Sequence, residues 1–229
     1  MAAEKKITIL KHGPYLVEGA VPLDEKIMVT NGHHREYQQG QTFKTDESYA
    51  LCRCGHSENP PFCDGSHVDA GFDGTEVAST VPFDERVELF QGPALDLFDD
   101  NRCAFARFCH REDGDVWTLT EDSDNPKLRE EAIKASTDCP AGRIVHHDKQ
   151  DDYKEIEPEL EPSISILQDP EREVSAPLYV KGNIPLVSAD GTPYELRNRY
   201  ALCRCGESRN KPFCDASHVN VGYVDGLPE

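Results

Sequence analysis

The sequence predicts an α+β protein rich in β-strand. Two small units, each a few strands with a metal-binding loop, pack together as an intrachain pseudo-dimer, and a small α+β unit lies between them. Three observations predict this. A sixteen-residue cysteine–histidine motif occurs twice. The apolar strand pattern that precedes it also recurs. The segment between the copies shows neither feature and carries a helix pattern instead. The expected divisions are 1–75, 76–150, an acidic proline-containing linker at 151–176, and 177–229.

The elements follow in order. Met1 to Leu10 reads as a short charged lead-in to a strand-like run. Pro14-Tyr-Leu-Val-Glu-Gly19-Ala-Val-Pro22-Leu23 reads as a short strand, a glycine turn and a second strand. Pro177-Leu-Tyr-Val-Lys-Gly182-Asn-Ile-Pro185-Leu186 repeats it, and Tyr49-Ala-Leu-Cys52 returns as Tyr200-Ala-Leu-Cys203. The first copy has an extra polar stretch, Asn31 to Gln41, before its metal loop. A repeat this small buries little alone, so the copies are expected to pack on each other. In the middle segment, Val116 to Thr120 reads as a strand. Asn125-Pro126 opens a helix as N-cap and first helical residue, and Leu128, Ala132, Ile133 and Ala135 continue it. Ile144-Val145 suggests a closing strand. The acidic stretch from Lys149 to Pro177 carries Pro158, Pro162 and Pro170 and reads as a linker, with a strand at Ile164 to Leu167.

Composition narrows the class. Only 37% of the 229 residues are hydrophobic, and 16 Gly and 16 Pro divide them. A poor core cut by many turns points to small units stapled by metal, where binding energy becomes folding energy. Nine cysteines cannot all pair, and the N-terminus shows neither a signal-peptide nor a transit-peptide pattern, so the thiols are expected to be reduced in a cytoplasmic protein. No run is long enough to span a membrane. The net charge of -19 disfavours nucleic acid, whose phosphates would be repelled, and suits a basic partner.

The motif reads Cys52-x-Cys54, Cys63 and His67 in the first copy, and Cys203-x-Cys205, Cys214 and His218 in the second. Its form is C-x-C-x8-C-x3-H. Each set offers three thiolates and one imidazole to a soft metal. The two close thiols can share one metal if the backbone bends between them. The last Cys and the His, four apart, share a face of a helical turn. One pair per iron suits a two-iron cluster. One zinc ion held by all four is the alternative, although C-x-C is unusual in zinc ribbons.

The wider pattern resembles the CDGSH, or NEET, iron–sulfur family: C-x-C-x2-(S/T)-x3-P-x-C-D-G-(S/A/T)-H. Ser57, Pro61 and Asp64-Gly65-Ser66 complete it in the first copy. Ser208, Pro212 and Asp215-Ala216-Ser217 complete it in the second, with Ala216 in place of Gly. Alanine fits there if the backbone needs no positive φ. The resemblance implies a [2Fe–2S] cluster at each site, with Cys52 and Cys54 on one iron and Cys63 and His67 on the other. It also implies NEET-like units sharing strands. A histidine ligand removes negative charge, which should ease reduction, and should make the cluster acid-labile. Arg53 and Arg204 add positive charge inside each C-x-C, tuning or screening it.

Cys103, Cys109 and Cys139-Pro140 form a third set, C-x5-C…C-P. Ferredoxins place a ligand in such a Cys-Pro pair. Their C-x2-C-x2-C run would have a ligand at Ala106, which cannot bind iron. Three thiolates with an empty corner suit [3Fe–4S]. The segment resembles single-cluster ferredoxins, including divergent [4Fe–4S] domains, so a small ferredoxin-like fold is expected. A [4Fe–4S] form would need His110 or water as fourth ligand. The pairs His33-His34 and His146-His147 read as polar surface.

Together these features lead to an electron-transfer protein with two His-ligated [2Fe–2S] clusters and one [3Fe–4S] or [4Fe–4S] cluster, an electron carrier rather than an enzyme. The partner would be a redox protein or an apo-protein cluster acceptor. A cluster carrier or redox sensor, and a zinc-binding interaction module, are the competing readings. No nucleophile–base set, nucleotide loop or flavin motif is present.

Overall fold

The structure is a computed structural model and describes residues 4–227. The first unit runs β1 (Lys6–Ile9), β2 (Tyr15–Glu18), β3 (Leu23–Asn31), β4 (His34–Phe43) and β5 (Ser48–Leu51). The middle segment runs α1 (Phe83–Arg86), β6 (Glu88–Gln91), β7 (Leu95–Asp99), β8 (His110–Arg111), β9 (Gly114–Asp115), α2 (Val116–Glu121), α3 (Pro126–Thr137), β10 (Ile144–Asp148) and β11 (Lys154–Ile156). The chain closes with β12 (Ser163–Asp169), β13 (Val174–Lys181), β14 (Leu186–Val187), β15 (Arg199–Leu202) and α4 (Ser217–Asn220). The strand-rich α+β class is as expected.

The two copies exchange strands. In the first, β2 pairs antiparallel with β1 and β5; in the second, β13 pairs antiparallel with β12 and β15. The fourth strand comes from the other copy each time. β14 lies parallel on β1, with Ile7 opposite Leu186, and β3 lies parallel on β12, with Ile164 opposite Leu23. Ile7 and Ile164 occupy matching places, as do Leu186 and Leu23. A pseudo-two-fold therefore relates the halves, which is the expected intrachain pseudo-dimer.

One core fills the space between the two sheets. It contains Ile7, Ile9, Tyr15, Val17 and Leu51 from one half and Ile164, Ile166, Leu178, Val180 and Leu202 from the other. Each fully buried Ile or Leu contributes about 1.5–3 kcal/mol. Neither half could bury these residues alone.

The stretch expected as a linker supplies part of this core. β12 is longer than the expected strand at Ile164 to Leu167 and lies inside a five-stranded sheet, between β13 and β3. Pro177 sits where the β12–β13 register shifts, so its missing N–H breaks no ladder bond. Flanking acids and prolines hid an apolar run that earns its strand only through long-range pairing. The polar stretch Asn31 to Gln41 is also ordered, as part of the β3–β4 hairpin that turns at Gly32 and His33.

In the middle segment β11, β10, β7 and β6 form an antiparallel sheet, and α2 and α3 pack against it through Leu95, Leu97, Val116, Leu119, Ala132 and Ala135. α3 starts as expected, with Asn125 accepting from the Lys127 N–H and Pro126 in the first turn. Val116 to Thr120 is a helix, not the expected strand. Asp115 caps it, accepting from the Thr118 N–H. Val116, Leu119 and Thr120 are buried at helical spacing, a pattern the β-branched and aromatic residues masked. Among the described residues no helix is long and apolar enough to cross a membrane.

Candidate metal centres

Each metal loop leaves a core strand. β5 delivers Cys52, and Leu51 bridges to Phe62; β15 delivers Cys203, and Leu202 bridges to Phe213. Gly55 and Gly206, both at φ 81°, bend the chain after the second thiol. Ser57 and Ser208 donate to the carbonyls of Phe62 and Phe213 and close the loops. Asp64 and Asp215 accept from the N–H groups of Glu58 and Arg209, 2.8 Å away in both copies.

The side chains meet in pairs. Cys52 Sγ and Cys54 Sγ are 3.7 Å apart, and Cys203 Sγ and Cys205 Sγ 3.6 Å. Cys63 Sγ lies 3.5 Å from His67 Nδ1, and Cys214 Sγ 3.5 Å from His218 Nδ1. Two thiolates on one tetrahedral metal, at about 2.3 Å each, stand roughly 3.7 Å apart, and a thiolate–imidazole pair roughly 3.5 Å. Each pair therefore suits one metal atom. Among the described residues no three Cys, His, Asp or Glu side chains converge on a single ion.

The loop geometry differs from expectation at the last ligand pair. His218 lies in α4, but the residues around His67 form turns. Ala216 takes φ 71° where Gly65 takes 97°. The position does need positive φ, so the alanine is strained by roughly 1–2 kcal/mol.

The two sites differ in exposure. His218 is 3% exposed and Cys214 is buried, while His67 and Cys63 are part-exposed. Burial pushes the Cys214 thiol up, with Cys203 adding to it, and pushes His218 down to about 4. Hydrogen bonding from the neighbouring thiol, Cys54 or Cys205, pulls Cys52 down to about 5 and Cys203 to about 7. A neutral imidazole and an easily ionised thiol are the forms that bind metal.

Residues 12–68 and 175–219 match the family described as iron-binding zinc finger, CDGSH type. Both segments are CDGSH domains. The chain is thus an iron–sulfur protein, and CDGSH domains typically hold [2Fe–2S] clusters. No curated protein and no solved structure matches the chain.

Cys103, Cys109 and Cys139, from the segment that separates the two CDGSH domains in sequence, line one small pocket together with Ala104, Ala106, Trp117, Pro140 and Arg143. Burial, then the neighbouring Cys139 and Cys103, pushes the Cys109 thiol up to about 12. Crowded buried thiols of this kind are relieved by a cationic centre. Ala106 is buried at the expected empty corner, and His110 is exposed and does not line the pocket.

Several contributors carry no sequence motif. The β3–β4 hairpin supports the middle pocket: Tyr37 stacks on Phe108 with ring centroids 4.3 Å apart and donates to the Asp138 carbonyl. Arg107 makes a bidentate pair with buried Asp169, tying the pocket loop to β12. Arg199 reaches from β15 to donate to the Cys139 carbonyl at 2.8 Å. Of the paired histidines, His146 is buried rather than on the surface, bridging Thr120 and Ser136. His34 and His33 face Glu36 and Glu112 at the hairpin tip, as polar surface.

Proposed function

We propose that this iron–sulfur protein is an electron carrier with three centres. Cys52, Cys54, Cys63 and His67 would hold one [2Fe–2S] cluster, and Cys203, Cys205, Cys214 and His218 a second. Cys103, Cys109 and Cys139 would hold a [3Fe–4S] cluster, because the pocket offers no fourth ligating side chain. Bound clusters of these types supply one-electron oxidation and reduction.

The adjacency of the three ligand sets supports this reading. A Cβ on Gly55 would lie 2.5 Å from the Cys205 carbonyl oxygen, so the two C-x-C loops touch back to back. On the other side Cys214 packs against Ala104, next to Cys103, and against Ala141, two residues from Cys139. The ligand sets thus form a row: middle pocket, second CDGSH site, first CDGSH site. The protein buries the central member and leaves the first site's histidine edge within reach of solvent. With a net charge of -19, the chain would steer a partner with a basic docking face.

The test is iron content with stepwise reduction. The reading expects about seven irons per chain, two plus two plus three, and an EPR signal near g of about 2.01 in the oxidised protein. A colourless, zinc-loaded chain would overturn it. A second reading, delivery of [2Fe–2S] to an apo-protein, draws on the part-exposed His67 edge. Rapid loss of iron to an apo-ferredoxin would favour delivery; retention through repeated reduction would favour electron transfer.

A further inference from the structure

The repeat continues past the last ligand, and there its two copies part. A shift of 151 positions carries Cys52 to Cys203, His67 to His218, Phe72 to Tyr223 and Gly74 to Asp225. The structure keeps this register. Phe72 and Tyr223 each donate a backbone bond to the histidine carbonyl at 3.0 Å. The N–H of Gly74 points to His12 Nδ1, and that of Asp225 to Ser175 Oγ, two residues at matching places before β2 and Leu178.

Both C-x-C motifs enclose a buried arginine. Arg53 is 1% exposed and Arg204 3%. Arg204 is fully engaged: it forms an ion pair with buried Asp225 and donates to the carbonyls of Ala176 and Leu167. At the place of that carboxylate, Arg53 finds Gly74. Its Nη2 donates to the Gly74 carbonyl at 2.6 Å, and Nε and Nη1 have no partner among the described residues. Tyr15 and Phe72 lie against the guanidinium, 5.7 and 5.3 Å from their centroids. The nearby Glu76 is taken by the Tyr194 hydroxyl and the Ala189 N–H.

Arginine is never deprotonated, so Arg53 keeps a whole positive charge buried on a side chain that leaves the backbone between ligands Cys52 and Cys54. At the second site Asp225 cancels the same charge. One other carboxylate differs: Glu76 stands where the second copy has Leu227, and it bonds Tyr194 and Ala189 rather than Arg53. Asp64 and Asp215 recur in both copies, and Asp169 near the second site is matched by Arg107 and Arg35. Reduction adds one negative charge, which an unpaired cation stabilises and an ion pair does not. Water reaching the part-exposed His67 edge acts in the same direction.

We propose that Arg53, unpaired because Gly74 stands where Asp225 does, gives the first CDGSH site the higher reduction potential of the two. The inference rests on iron–sulfur clusters occupying both sites. One electron leaving the second site oxidises it by one unit and reduces the first by one, with no bond made or broken and no other reactant. Electrons then collect at the exposed end of the row.

The test is a mediated redox titration of the full iron-loaded chain, followed by EPR and visible circular dichroism. Wild type should show two resolved midpoints for the [2Fe–2S] pair. Arg53→Gln should lower the upper one and leave the lower in place. Arg53→Lys should keep it up. Asp225→Asn should raise the lower one. Gly74→Asp should act like Arg53→Gln once the end of Arg53 and the Phe72 ring edge shift to admit the added Cβ; it is the second variant should the glutamine one fail to fold. A single shared midpoint, or an Arg53→Gln shift confined to the lower midpoint, would overturn the proposal. A chain without iron would overturn the proposed function, and this ordering with it.

Discussion

The Tyr15 hydroxyl donates to the carbonyl of Cys203 at 2.7 Å, across 188 residues of sequence. The core of one CDGSH domain thereby holds the first ligand of the other. The matching position in the second copy is Leu178, so the first site receives no such bond from the repeat. Tyr15 is fully buried, and removing its hydroxyl leaves the Cys203 carbonyl short of a donor.

Tyr15→Phe should therefore destabilise the protein by about 1–3 kcal/mol and act on the second site. The urea midpoint measures the first effect. Iron release to a chelator, followed by the two sites' spectra, measures the second. Faster release from the first site alone would contradict this assignment.

Ala216→Gly should stabilise. The residue sits at φ 71°, and glycine there relieves left-handed strain at some cost in unfolded-state entropy, a net gain of about 1 kcal/mol. A rise of roughly 2–4 °C in Tm is expected for a chain of this size. An unchanged or lowered Tm would mean that the strain is relieved by some other route.

Gly55→Ala should be damaging. Its Cβ would meet the backbone of Cys205 at 2.5 Å, and its φ is 81°. Backbone cannot give way as a side chain can, so the two loops must separate. Both CDGSH sites should lose iron together, a loss read by comparing iron content and visible spectra with wild type. Selective loss at one site would argue against the back-to-back packing.

His146 should steepen acid unfolding. Burial first, then the charges of Arg129 and His147, pushes it down to about 3, against an ordinary 6.5. Between those values the unfolded chain binds a proton that the folded chain refuses. The stabilising contribution is complete above about pH 6.5 and is lost as pH falls, with a slope of up to about 1.4 kcal/mol per pH unit. His146→Gln should flatten that slope in urea unfolding measured from pH 7 to 5. Identical slopes would show that His146 takes up no proton in that range on unfolding.

Much of the site was legible because metal ligation is written locally. Cys52, Cys54, Cys63 and His67 lie within sixteen residues, and their loop is closed by Ser57 and Asp64, also local. The helix at Pro126 was legible from its cap and its periodicity. The helix at Val116 was not, because its residue types favour strands and its only signal was the Asp115 cap. β12 was read short and as linker because its burial depends on β3, some 140 residues away. His146 was misplaced because nothing adjacent in sequence announces that α2 and α3 enclose it.

The sequence by itself determined the twin motif, the repeat and the third cysteine set, since each depends on residue types at short spacing. Only the tertiary structure decided that the twin sites are unequal. Strand exchange, the Tyr15 bond and the cover over Cys214 all join residues far apart in the chain. So does the difference between Arg204, which pairs with Asp225, and Arg53, which pairs with no carboxylate among the described residues. Charge compensation in a buried site depends on which groups the fold brings within a few ångströms, and no local pattern records that.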